Sequence, residues 1–114
     1  MKDHNIKTIT VHELKKRLDN APDLCILDVR EDSEWQEQHI PGALHLPKDE
    51  VTANFVAHIP DHDHPIYIHC RGGVRSLQAA SYLLDLGYKE VYSIDGGIME
   101  WAASGYPTKK GETL

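Results

Sequence analysis

The chain has 114 residues, 40% of them hydrophobic and 26% charged, with a formal net charge of −6. That length suits one folded domain with its own core, and the acidic balance argues against nucleic acid or an anionic membrane surface as the main partner. No apolar stretch approaches the roughly 20 residues of a membrane span, the opening Met1-Lys2-Asp3-His4-Asn5 lacks a signal-peptide core, and the two cysteines, Cys25 and Cys70, make no disulfide framework, which fits a reducing cytoplasm.

Lys7-Thr8-Ile9-Thr10 reads as a first strand. Val11 to Leu18 then reads as a helix, with Thr10 as its N-cap and Glu13 three residues on. Leu24-Cys25-Ile26-Leu27 is a continuous apolar run, as expected of a strand covered on both faces, and it ends at Asp28-Val29-Arg30. Glu31 to Gln38 reads as a short polar helix carrying Trp35, and His39-Ile40-Pro41-Gly42 as a turn. Ala43 to Leu46 is a third strand, stopped by Pro47, and Lys48 to His58 a weak helix. Ile66 to His69 is the fourth strand. Val74 to Leu86 is the clearest helix, with Leu77, Ala80, Leu83 and Leu84 on one face and Gly87 closing it. Val91 to Ile94 is a fifth strand, and Asp95-Gly96-Gly97 turns into a last helix, Ile98 to Ala103, closed by Gly105 and Pro107. There is no internal repeat, low-complexity tract or linker. This alternation predicts an α/β fold with a mainly parallel sheet, in one domain over 1–114 whose core spans 7–107 between short polar tails.

The densest chemistry lies where the fourth strand meets the clearest helix, at Cys70-Arg71-Gly72-Gly73-Val74-Arg75-Ser76. Ligand sites of parallel sheets lie outside the carboxyl ends of strands. A glycine-rich turn there points backbone N–H groups inward, and the next helix adds its positive dipole end. Both favour an anion, either the thiolate of Cys70 or a charged group bound to it. Arg71 and Arg75 would add local positive charge that steers an anionic substrate. Ser76 can donate through its hydroxyl or cap the helix. A thiol so placed should have a pKa below the about 8.5 of free cysteine. The plainer alternative is a turn with ordinary glycines and a cysteine serving as a small buried hydrophobe. It leaves two glycines and two arginines directly behind a strand-end cysteine without explanation.

Other polar residues read more plainly. Asp28 and Arg30 end the second strand on the same side of a parallel sheet as Cys70, where they could serve at the entrance or behind the nucleophile. The alternative has Asp28 binding local backbone and Arg30 pairing with an acid such as Glu34. His69 precedes Cys70, but adjacent strand residues point to opposite faces, so it should face away from the thiol. His39, before its Pro-Gly turn, reads as structural. Asp61-His62-Asp63-His64, between Pro60 and Pro65, reads as a solvated loop rather than a metal site, since no second ligand group stands out. Cys25, inside an apolar run, should be buried, the alternative being a disulfide with Cys70. Trp35, Tyr82 and Trp101 read as packing residues.

Several segments together resemble the single-domain rhodaneses, a sulfurtransferase family. They are Leu27-Asp28-Val29-Arg30, Glu34-Trp35, and His39-Ile40-Pro41-Gly42-Ala43-Leu44-His45-Leu46-Pro47, then the Cys70–Ser76 loop, Asp95-Gly96-Gly97, Trp101 and Gly105-Tyr106-Pro107. Each is short, but their order and spacing are specific and cover nearly the whole chain. Gln38 departs from the pattern, which usually has glycine before the His-Ile-Pro-Gly turn. The resemblance implies a five-stranded parallel sheet flanked by helices on both faces, and Cys70 as carrier of a persulfide.

Loop length bears on the chemistry. Cysteine phosphatases place five residues between Cys and Arg, whereas here four separate Cys70 from Arg75. The smaller cradle suits one terminal sulfur better than a tetrahedral phosphate, so phosphatase or arsenate reductase activity is a minor alternative. The expectation is therefore a sulfurtransferase. Cys70 would take sulfane sulfur from a small anionic donor such as thiosulfate and pass it to cyanide, a thiol or a protein acceptor, without metal or organic cofactor. A relay module that serves one protein partner without turnover is the alternative.

Overall fold

In the computed structural model, which describes residues 6–111, strands and helices alternate along the chain. Of the tails expected on either side of 7–107, residues 1–5 and 112–114 lie outside the described residues, while Lys109 pairs with His39 through two backbone hydrogen bonds of 2.8 Å. The strands are β1 (Lys7–Thr10), β2 (Cys25–Asp28), β3 (Leu44–His45), β4 (Ile66–His69) and β5 (Val91–Asp95). The helices are α1 (Val11–Asn20), α2 (Asp32–Glu37), α3 (Val51–His58), α4 (Val74–Asp85) and α5 (Gly97–Ala103). One sheet forms in the order β1-β5-β4-β2-β3, and every strand pair in it is parallel.

Alternation along each strand divides the core in two. Cys25, Leu27, Ile66, Ile68, Cys70 and Val91 face α3 and α4, meeting Val51, Phe55, Ala79, Ala80 and Leu83. Ile26, Tyr67, Tyr92 and Ile94 face the other way, toward Val11 and Leu14 of α1 and Ile98 and Trp101 of α5. Helices thus cover both faces, which is why the strands read as unbroken apolar runs. From β2 the chain moves outward to the edge strand β3, and from β4 it moves the other way to β5. The crevice outside the ends of β2 and β4 is therefore the point where strand order reverses. In such sheets that is where ligands bind.

Local signals act as their chemistry dictates. The hydroxyl of Thr10 accepts the N–H of Glu13 at 3.1 Å and caps α1. Past α4, Tyr88 N–H reaches Leu83 O and Gly87 N–H reaches Leu84 O, both at 3.1 Å, a Schellman closure. Three elements differ from expectation. β3 keeps only Leu44 and His45 in the ladder, because it is an edge strand paired to β2 alone. The segment expected as one helix from Lys48 is a 3-10 turn at Lys48–Glu50 followed by α3. On α4 the buried face is Ser76, Ala79, Ala80 and Leu83, whereas Leu77 is 41% exposed. The helix is turned so that its small residues meet the sheet and Ser76 points inward.

At the end of β2, Asp28 and Arg30 form a buried pair. Arg30 Nη2 lies 2.8 Å from Asp28 Oδ2, with side-chain exposures of 4% and 0%. Arg30 Nε also donates to Asp28 Oδ1 at 3.0 Å, as does the Arg30 backbone N–H. Removing one partner of a buried pair strands the other charge. Asp28→Asn is therefore expected to cost about 3–5 kcal/mol of stability, measured by urea unfolding. An unchanged midpoint would mean that Arg30 finds another carboxylate.

Candidate functional site

β4 delivers Cys70 to the carboxyl edge of the sheet, and the chain turns at once into α4. Cys70 is 1% exposed and sits at the floor of that turn. The Gly73 N–H donates to its Sγ at 3.1 Å. The N–H groups of Ser76 and Gly72 also act on it, and Ser76 Oγ lies 3.7 Å away. Burial pushes the thiol pKa up, but these donors outweigh it and the net direction is down. Gly73 is the N-cap of α4, with φ of +125°, a region that favours glycine. Ser76 is the third helical residue, so part of the field comes from the helix start.

α5 helps to aim the loop by holding two of its carbonyls from outside. Ile98 N–H donates to Cys70 O at 2.9 Å and Met99 N–H to Arg71 O at 3.3 Å. A trans peptide carries its C=O and N–H on opposite sides. Anchoring Arg71 O to α5 therefore aims the Gly72 N–H the other way, toward the thiol. Gly97 makes this approach possible, since a Cβ there would overlap the carbonyl oxygens of Cys70 and Arg71. Sequence reasoning takes Asp95-Gly96-Gly97 only as a turn and misses this role. The signal was a glycine pair at a strand-to-helix junction.

The two arginines of the loop separate. Arg75 was expected to meet an anionic substrate, and in the structure the anion on its guanidinium is the Glu34 carboxylate. Its Nη1 and Nη2 bind Glu34 Oε1 and Oε2 at 2.7 and 2.9 Å. A two-pronged pair of this kind occupies the guanidinium fork, so Arg75 ties α4 to α2. Arg75 lowers the Glu34 carboxyl to about 2. Arg71 is exposed and lines a cleft of about 160 Å³ with Arg30, Glu37, Gln38 and Met99. It is the loop cation left facing solvent. Val74, 72% exposed, forms the rim, and Gly72 is exposed beside it.

Asp28 and Arg30 do not reach the thiol. Leu27 and Val29 share the core that contains Cys70, while Ile26 lies in the other, so the even-numbered side chains of β2 point to the far face. The expected Arg30–Glu34 ion pair is absent, because Asp28 takes the guanidinium. Arg30 instead donates to backbone carbonyls of Glu34 at 3.3 Å and Gln38 at 2.7 Å. It anchors α2, which carries the partner of Arg75. His69 is fully buried on that far face, 3.5 Å from Asp28 Oδ2, and its Nδ1 lies 3.3 Å from Cys70 O. Burial keeps its pKa below that of ordinary histidine.

The remaining candidates are structural. His39 is buried, stacks on Trp35 with centroids 3.7 Å apart and shares a hydrogen bond with Trp35 O at 2.8 Å. Gln38 has φ of −171°, extended backbone open to any residue, so its place before the turn needs no glycine. Asp61 Oδ1 accepts the Asp63 N–H, His62 stacks on Tyr88, and no group of metal-ligating side chains forms among the described residues. Cys25 is registered against Ile66, four residues before Cys70. At about 3.3 Å per residue the two cysteines are too far apart for a disulfide. Burial pushes the Cys25 thiol up to about 11. Sequence reasoning also passes over Ser93, whose Oγ is 2.7 Å from Ser76 Oγ.

The profile of the Rhodanese-like domain family matches residues 10–104. Among known proteins, the chain is 36% identical over 102 residues to a sulfurtransferase of Allochromatium vinosum, covering 90% of this chain and 94% of that protein. It is 38% identical over 98 residues to the thiosulfate sulfurtransferase GlpE of Pseudoalteromonas translucida, covering 86% and 90%. Among solved structures, the rhodanese-like domain of an Anabaena protein superposes with a TM-score of 0.82 at 31% identity, covering 90% of this chain and 78% of that one.

The thiol should ionise early. The rate of Cys70 alkylation against pH is expected to have its midpoint below the about 8.5 of free cysteine. Gly97→Ala, which pushes the loop carbonyls off α5, should move that midpoint upward. An equal midpoint in both proteins would show that α5 does not orient the loop amides.

Proposed function

The chain belongs to the rhodanese-like domain family, and on that premise we propose that it transfers sulfane sulfur through a persulfide on Cys70. The thiolate attacks the outer sulfur of a donor such as thiosulfate. A new S–S bond forms to Cys70, the S–S bond of the donor breaks, and sulfite leaves with its electron pair. An acceptor nucleophile (cyanide in an assay, a thiol or a protein thiol otherwise) then attacks the outer sulfur, and the Cys70 thiolate leaves. No net oxidation is required, and each half-step is easier than direct transfer. No metal or organic cofactor enters either step.

The observation that carries this reading is the Gly73 N–H held 3.1 Å from Sγ, with the Gly72 and Ser76 amides acting on the same atom. Such preorganised donors stabilise the anion both as the attacking thiolate and as the leaving thiolate of the second step. The negative charge of a persulfide would sit within the same ring. Four residues between Cys70 and Arg75 close that ring tightly around one atom, and Glu34 holds Arg75 away from any bound oxyanion. Both features favour sulfur over phosphoryl or arsenate chemistry. Arg71 is the side chain that would meet an anionic donor at the mouth.

After incubation with thiosulfate, intact mass should rise by one sulfur atom in the wild type and in Cys25→Ser, and not in Cys70→Ser. Thiosulfate:cyanide turnover should follow the same pattern. A mass gain with negligible turnover would favour relay to a protein partner. Cys70→Ser that still acquires sulfur would overturn the assignment. Arg71→Ala should raise KM for thiosulfate several-fold with little change in kcat, an effect that fades at high salt. An unchanged KM would place Arg71 outside the donor path.

A further inference from the structure

Behind the thiol, away from its mouth, lies a short chain of hydroxyls. Ser76 Oγ is 3.0 Å from Gly73 O, 2.7 Å from Ser93 Oγ and 3.7 Å from Cys70 Sγ. Ser76 and Ser93 are 0% and 1% exposed. Ser93 stands in β5 opposite Ile68, on the face where its strand neighbour Val91 joins the apolar core. A serine buried there is costly unless its hydroxyl is used.

The protons of this chain can be assigned. Ser76 is the hydrogen-bond partner of the Ser93 hydroxyl among the described residues. A buried O–H left without an acceptor costs more than an unused lone pair. Ser93 therefore gives its proton to Ser76 Oγ. Ser76 keeps one proton and one lone pair to place. While Cys70 is a thiol, its S–H fills that lone pair and the Ser76 proton goes to Gly73 O. Once Cys70 is a thiolate, it can only accept, and the Ser76 hydroxyl is the side-chain donor within reach. A hydroxyl that already accepts a hydrogen bond is a stronger donor.

We propose that Ser93 is a positioning residue for the sulfur carrier: by donating to Ser76 Oγ, it frees and strengthens the Ser76 proton to turn from Gly73 O onto Cys70 Sγ. The inference rests on the persulfide reading only for its effect on turnover, because the hydrogen-bond switch itself belongs to the free thiol. Other charged and titratable groups near the thiol are few, and Arg71, next in the chain, faces solvent at the mouth. Arg75 on α4 is tied to Glu34, Cys25 lies toward the far end of the same core, and α3 brings Val51 and Phe55. His69, Asp28 and Arg30 lie on the other face of the sheet.

The test is the pH profile of Cys70 alkylation by iodoacetamide, which needs no sulfur transfer. Ser93→Ala should raise the midpoint by about half a pH unit, cutting the thiolate fraction by a factor of about three at pH values well below the midpoint. Turnover at neutral pH should fall through kcat, with KM for thiosulfate unchanged. Ser76→Ala should shift the midpoint at least as far, and the double variant no further than Ser76→Ala alone. The pair Ser93→Thr and Ser93→Val separates the hydroxyl from volume at a strand position that tolerates branching. Thr should keep the wild-type midpoint and Val should lose it. A wild-type midpoint in Ser93→Ala or Ser93→Val overturns the proposal, even if melting temperature falls. A raised midpoint in a protein that never gains sulfur would uphold the switch and reject the persulfide reading instead.

Discussion

The site depends on the direction in which one turn of backbone points its peptide groups. The carbonyls of Cys70 and Arg71 are pinned outward by the Ile98 and Met99 amides at the start of α5. Peptide planarity then leaves the Gly72 N–H, which follows Arg71 O, facing the sulfur. A strand-end cysteine followed by glycines would otherwise have many loop conformations open to it. The glycine at position 97 lets a helix start press against that backbone where any side chain would collide. An element remote in sequence thus decides the electrostatics at Cys70, and it does so through main-chain atoms alone.

A second set of restraints holds the other side of the loop. Asp28 fixes Arg30 in the interior, Arg30 binds the carbonyls of Glu34 and Gln38, and the Glu34 carboxylate grips Arg75 at the head of α4. Each link is polar and each end is satisfied, as buried charge requires. The arrangement spends Arg75 on structure and leaves Arg71 facing solvent on a protein of net charge −6. The positive character of the site is therefore short-ranged. It comes from amide dipoles around the sulfur and one solvent-facing guanidinium at the rim, which suits a small anion better than an extended acidic partner.

Much of this was legible in the sequence. Apolar runs of four residues and helical periodicity between them implied a parallel α/β sheet, and the Cys70–Ser76 segment implied an anion cradle. The errors share one physical cause. Arg75 was read as anion-facing because the distance along the chain between it and Cys70 is short, but Glu34, 41 residues away, takes its guanidinium. Periodicity put Leu77 on one face with Ala80, Leu83 and Leu84, but the helix turns its small residues Ser76, Ala79 and Ala80 to the sheet and leaves Leu77 41% exposed. Ser93 drew no notice, since a lone serine in a strand carries no signal until its partner across the sheet is known. Periodicity reports which face an apolar residue prefers, and it says nothing about which polar groups meet.

The sequence by itself determined the alternation of elements, the caps at Thr10 and Gly87, and the position of a thiol at the carboxyl end of a strand. These follow from local rules: side-chain period, backbone freedom and the entropy of short turns. Only the tertiary structure decided which amides face the sulfur, which arginine is free, and that Ser76 and Ser93 share a proton chain behind it. Those outcomes depend on hydrogen bonds between residues far apart in the chain. They depend on direction and on distances of a few tenths of an ångström, which exist only once α2, α5 and β5 are packed around the loop.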